Sequence, residues 1–390
     1  MRATRYVFAC ALACPALAGA QLAPAENMVR YPALYSSLTL SYHPQEKSFG
    51  AQGEEQAGAT PTYGGNSAFP TSQQTLALEW FFPFFETTDF PPFSDRLWTA
   101  KAQLGLLQTR SKGGVAAFAD ANGLSRQGDG VQDLQLEFGP VLLGSQNWRT
   151  RSSTPYSLTA LGRVQLPLGS RDANAPNNAG SNVYGFGFGL KGYWRAHPRV
   201  HVDSRAAADT YSSDDEPAFG AQTPAQVGNK LAAALSVSSR IYREVYLNAG
   251  LDTWRRTPNR YEQVRFAANP PEPDLGMDSF PDPSLIEDQG ARLTQAAFGF
   301  SWFIAPRLRV DATWHHPLSG KSGAFDLPFL QQPMRCAATE TPISDPACNP
   351  EQYGSAQVDG LGNSARAYAD DHYSLRIAYQ WQQGDFFLGR

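Results

Sequence analysis

Apolar and polar side chains alternate with period two along most of this chain, and no 3.6-residue period competes with them. Leu34, Leu38, Leu40 and Tyr42 share one face, while Tyr35, Ser37, Thr39 and Ser41 share the other. The same alternation returns in residues 75–82, 98–106, 133–138, 156–166, 184–194, 200–209, 231–241, 245–252, 294–302, 308–314 and 374–381. Each run predicts a strand with one apolar and one polar face. About twelve such strands form an even set of the kind that closes into a bacterial barrel.

The segments between the runs sort by length. Residues 87–95, 146–154, 195–198, 243–244 and 305–307 are short connections; residues 44–72, 110–130, 167–181, 213–227, 256–289 and 317–369 are long ones, and the two kinds alternate. In an antiparallel sheet this puts every short turn on one rim and every long loop on the other. A soluble sandwich has no reason to segregate its loops in that way. The expected fold is an all-β transmembrane antiparallel barrel of about twelve strands, with short periplasmic turns and long extracellular loops. Tryptophan agrees: Trp80, Trp98, Trp194, Trp302 and Trp381 fall on the apolar face at the short-turn rim, and Trp314 at the other. Such amphipathic rings belong at the headgroup level of a membrane.

Composition excludes the competing classes. The 390 residues are 17% charged and 12% aromatic, with mean hydropathy −0.39. No stretch reaches the roughly 18 apolar residues of a spanning helix, and the aromatic content is too high for a disordered chain. Arg2 and Arg5, the apolar run of residues 6–17, and Ala18-Gly19-Ala20 read as a signal peptide over residues 1–20, leaving 21–390 as the barrel. Its removal leaves 30 basic against 36 acidic residues, so no nucleic-acid partner is expected. Outer-membrane lipid is the expected partner; the oligomeric state is open.

The polar face carries mixed charge. Lys101, Arg163, Lys191, Arg205, Arg240, Arg309 and Arg376 share it with Glu79, Asp133, Glu137, Asp203, Asp209, Asp252 and Asp311. An apolar core could not hold so many charges, whereas a wet lumen can. These fourteen side chains are the expected lumen lining. Their balance argues against strong ion selectivity, because selective rings use one sign.

Catalytic motifs are missing. The chain has no H-E-x-x-H and no G-x-S-x-G, and His315 and His316 are adjacent on a strand, so they point to opposite faces. The protein is therefore expected not to be an enzyme, with no cofactor and no metal site. Two acidic patches, Asp214-Asp215-Glu216 and the group Asp278, Asp282, Glu287 and Asp288, lack the spacing of a calcium loop and read as solvated charge. In the longest loop, Phe325, Leu327, Phe329 and Leu330 are too apolar for a freely solvated segment; they read either as a gate at the mouth or as a lid packed on neighbouring loops without solute contact.

Two short motifs carry a resemblance. Gly128-Asp129-Gly130-Val131-Gln132-Asp133-Leu134 opens one strand and Leu166-Pro167-Leu168-Gly169 ends the next. This order is similar to the outer-membrane transporter-like family associated with the meta-pathway of phenol degradation. Gln132 stands where that family has a second glycine, and Leu168 where it has threonine. The resemblance implies a channel for small hydrophobic, often aromatic, compounds. The alternative from the residues alone is a non-transport surface protein, adhesive or structural, whose charges close the lumen.

After signal removal Cys336 and Cys348 are the remaining cysteines. One pair in an exported chain predicts a disulfide. Thiol labelling of unreduced, denatured protein should find no free cysteine; stoichiometric labelling would show two thiols instead.

Overall fold

The structure is a computed structural model. It describes residues 35–50, 52–57, 71–86, 96–111, 129–144, 146–147, 152–153, 155–171, 179–214, 226–261, 286–287, 290–305, 307–321 and 367–381. The signal segment, the segment read as gate or lid and both mature cysteines lie outside these residues.

Period-two sequence becomes extended chain, and the extended chain pairs into a ring. The ring strands are β1 (Tyr35–His43), β2 (Thr71–Glu86), β3 (Arg96–Ser111), β4 (Leu134–Leu143), β5 (Tyr156–Leu166) and β6 (Gly185–His197), followed by β7 (Val200–Tyr211), β8 (Lys230–Tyr242), β9 (Val245–Arg256), β10 (Ala291–Ala305), β11 (Leu308–Lys321) and β12 (His372–Gln380). Each pairs antiparallel with its neighbours in sequence, and β12 pairs with β1, so the twelve-stranded sheet has no free edge. The Trp381 indole donates to the Ser36 hydroxyl at 3.1 Å and ties the last strand to the first.

The two faces are inverted relative to a water-soluble protein. On β8, Leu235 is 52% exposed while its neighbour Ser236 is 3% exposed. On β9, Leu251 is 50% exposed and Asp252 8%. Exposed Phe186, Phe188, Trp194, Trp302 and Trp314 continue the outer apolar band. Such a surface is stable only against hydrocarbon.

One strand runs further than its sequence suggests. Pro317 was expected to open the last long loop, yet β11 continues through it to Lys321. The pairing with β10 shifts register between Thr294 and Gln295, opposite Pro317 and Ser319. A bulge tolerates the missing proline N–H, because the ladder is already interrupted there.

The inverted faces make a quantitative prediction. Leu235→Arg should destabilise the barrel by about 2–4 kcal/mol if this position faces the middle of a bilayer. Urea titration of folding into vesicles would check it; an unchanged midpoint would place Leu235 outside the hydrocarbon.

Candidate functional site: the charged inner face and the long-loop mouth

Thirteen of the fourteen charges expected on the polar face lie in the ring strands, Asp133 lies one residue before β4, and two networks dominate. The first crosses the closing seam. Glu79 on β2 receives the Lys101 ammonium of β3 at 2.7 Å and the Arg376 guanidinium of β12 at 2.6 Å. The Tyr35 hydroxyl donates to the same carboxylate at 3.0 Å, and Arg376 also donates to the Ser37 hydroxyl at 3.0 Å. One carboxylate on β2 thus gathers groups from β12, β1 and β3 and links four consecutive strands.

The second network spans β4 to β7. Arg163 on β5 bonds Glu137 on β4 at 3.0 Å and reaches Asp209 on β7, while Arg205 pairs with Glu137. Arg163 has to pass over β6 to do this. The inner face of β6 is glycine there: a Cβ on Gly187 would lie 2.0 Å from Asp209 Oδ1. The missing side chain is what lets the pair form. A cleft beside the network is lined by Gln135, Glu137, Arg163, Gln165, Asp209 and Tyr211.

The remaining charges are more local. Asp252 accepts from Gln295 at 2.6 Å, and Arg309 bonds Asp311 at 3.0 Å. Asp203 is fully buried, whereas Lys191 and Arg240 are half-buried. Asp133 ties connections together: it accepts from the Gly169 N–H at 3.0 Å, the Ser181 N–H at 2.9 Å and the Gln165 amide at 3.1 Å. Burial pushes its carboxyl above the usual carboxylate range, against the pull of those hydrogen bonds. The two resembling motifs meet here, since Asp133 belongs to one and Gly169 to the other. Gln132 fits in place of a glycine because its amide lies over Gly105, where a Cβ would be 1.7 Å from Oε1.

The ends of the lumen carry features the sequence pattern did not announce. At the short-connection end, the Tyr193 hydroxyl and His201 Nδ1 are 2.8 Å apart, His201 and Tyr246 rings 5.9 Å, and Tyr246 and Phe303 rings 5.8 Å. At the long-connection end, the register that opposes Tyr42 to Tyr373 and His315 to His372 brings three imidazoles into a row. His315 stacks on His372 at 4.2 Å, and His43 lies 4.9 Å from His372. His316 points outward to Asp371 at 2.7 Å, so the two adjacent histidines do face opposite ways. Among the described residues, no group of His, Cys, Asp and Glu is arranged to hold a metal. Of the acidic patches, Asp214 is buried and engaged by Arg171 at 3.2 Å and Asn182 at 2.7 Å.

The same mouth holds an apolar cluster of Phe49, Ala232, Trp254, Ala291, Leu293 and Ala367. Phe49 sits on a short hairpin, Lys47–Phe49 against Glu55–Ala57, in the connection from β1 to β2. Its N–H donates to the Ala367 carbonyl at 2.8 Å, and the Ala369 N–H to the Lys47 carbonyl at 3.0 Å. Alternation assigns Trp254 and Leu293 to the inner face, but it cannot show that a loop residue covers them.

Glu79 offers the sharpest test of the networks. Glu79→Ala leaves Lys101 and Arg376 close together without their shared counter-charge, which should cost about 3–5 kcal/mol. Denaturant titration of the folded barrel would measure this. A loss under about 1 kcal/mol would mean that water, not Glu79, compensates those cations.

A family model described as "Putative MetA-pathway of phenol degradation" matches residues 60–325, which includes both resembling motifs. A search of curated proteins finds no match. Among solved structures, the COG4313 outer membrane channel from Pseudomonas putida F1 superposes with a TM-score of 0.61 at 13% identity, over 93% of this chain and 100% of that one. The NanC porin (TM-score 0.37, 7% identity, 89% of this chain and 100% of that one) and a Pseudomonas aeruginosa FadL homologue (0.31, 11%, 90% and 91%) score too low to bear on the fold. The family match covers most of the chain, so the chain belongs to the family of that phenol-degradation pathway and is an outer-membrane β-barrel of a Gram-negative bacterium.

Proposed function

We propose that the barrel is a channel passing small hydrophobic or aromatic solutes across the outer membrane by passive diffusion. The observation that carries this reading is the apolar cluster inside one mouth of a charged lumen. A solute that sheds water against Phe49, Trp254 and Leu293 has a first site that plain water-filled pores lack. The family description names phenol degradation, and the similar Pseudomonas putida structure is named as a channel; both support the reading. The long-connection end then faces outward, and the fourteen charges act as a balanced lining. No residue is assigned a catalytic role, and no cofactor is needed for diffusion.

A second reading has its own observation. Glu79, Glu137 and Asp209 are held in ion pairs across strands, and a lumen filled by such pairs would serve a surface protein that transports nothing.

Vesicles with a lipopolysaccharide outer leaflet and purified protein separate the two. Indole entry, followed by quenching from trapped acrylamide, should be faster than in protein-free vesicles and indifferent to ionophores. Equal rates with and without protein would leave the surface-protein reading.

A further inference from the structure

Phe49 belongs to a loop hairpin, yet its ring is only 4% exposed. The ring rests in a cup whose wall is built largely by the barrel: Ala232 on β8, Trp254 on β9, Ala291 and Leu293 on β10, and Gly320 on β11. We propose that this cup is a binding site for a single aromatic ring, and that Phe49 occupies it as a built-in competitor.

Shape is the first argument. The residues around the ring are small where the ring lies. A Cβ on Gly320 would come within 2.2 Å of Phe49 Cδ2 and 2.8 Å of Cγ, so glycine there makes room for the ring itself. Alanines at 232, 291 and 367 leave further space, and Trp254 and Leu293 supply the large apolar surfaces. A planar six-membered ring is the shape this space already holds.

The second argument is the difference in rigidity between cup and occupant. The wall residues on β8 to β11 are fixed by the ladders of the closed ring, interrupted beside the cup only by the bulge opposite Pro317. The hairpin is three residues against three, held by Phe49 N–H to Ala367, Ala369 N–H to Lys47, and Lys47 N–H to the Asp370 carboxylate. An isolated hairpin of that size is marginal, and water at the rim can replace those bonds. Swinging out the hairpin therefore leaves most of the cup intact, and a vacated apolar cavity takes up small aromatic molecules readily. The site rests on the proposed channel reading for its role in transport, where the incoming ring would displace Phe49 and open the mouth in the same step. Its ability to bind does not depend on that role.

The experiment uses full-length protein in micelles and 4-fluorophenol as the probe, followed by fluorine NMR. Phe49→Ala should bind at least about tenfold more tightly than the unaltered protein, and Phe49→Ala with Ala232→Leu, which refills the cup, should lose the gain. Both variants must keep the heat-modifiable gel mobility of a folded barrel. In the unaltered protein the probe should speed deuterium exchange at the Phe49 and Ala369 amides, while arabinose should not; this arm needs no variant. No tightening in Phe49→Ala, or tightening that Ala232→Leu leaves in place, overturns the site. If the site binds but the vesicles admit no indole, the channel reading falls and the site stands. Uptake without tighter binding in Phe49→Ala removes the site and leaves the channel.

Discussion

Hydrocarbon offers no hydrogen bonds, and every backbone N–H and C=O that enters it must be satisfied inside the sheet. Closure of β1 on β12 meets that requirement, because an open sheet would leave two rows of unpaired groups facing lipid. The remaining features follow from closure. A closed ring of strands has one face toward lipid and one toward its own axis, so period-two alternation must sort apolar residues out and polar residues in. The exposed Leu235 beside the buried Ser236 is that sorting at the level of two consecutive residues.

Burying polar groups along the axis creates a second problem, since charge in a narrow space needs counter-charge. The barrel meets it with networks that cross several strands. Glu79 joins β12, β1, β2 and β3, and Glu137 with Arg163 joins β4 and β5 to β7. The first network sits on the seam where the first and last strands meet, so these ions also reinforce its closure. The second depends on glycine in β6, which shows that an absent side chain can be as specific as a present one.

The sequence exposes the parts of this design that repeat and hides those that depend on register or on loops. All twelve strands were legible, because each runs long enough for its alternation to show. The fourteen charges expected inside were legible as polar-face positions for the same reason. Their partners were not: that Arg163 spans a glycine strand to Asp209 depends on register, which alternation leaves free by any even step. Pro317 misled because proline marks a loop unless a bulge absorbs it, and bulges leave no sequence trace of their own. His43, His315 and His372 are far apart in sequence and become neighbours only through closure. Gln132 looked like a departure from its family until Gly105 supplied the space for it.

Along its axis the barrel is not uniform, and the gradient bears on what can pass. Apolar Phe49, Trp254 and Leu293 lie at the long-connection end, the Glu79 ion pairs sit midway along their strands, and Tyr193, Tyr246 and Phe303 gather at the other end. An apolar solute gains by leaving water at either aromatic end but meets ions that prefer each other to it. Pairing lowers that barrier, because a neutralised pair presents a smaller field than an isolated charge. A fully polar solute faces the opposite sequence, welcome among the ions and poorly solvated at both ends. On the proposed channel reading, a weakly polar ring, with one hydroxyl and an apolar body, is the class for which neither step is prohibitive.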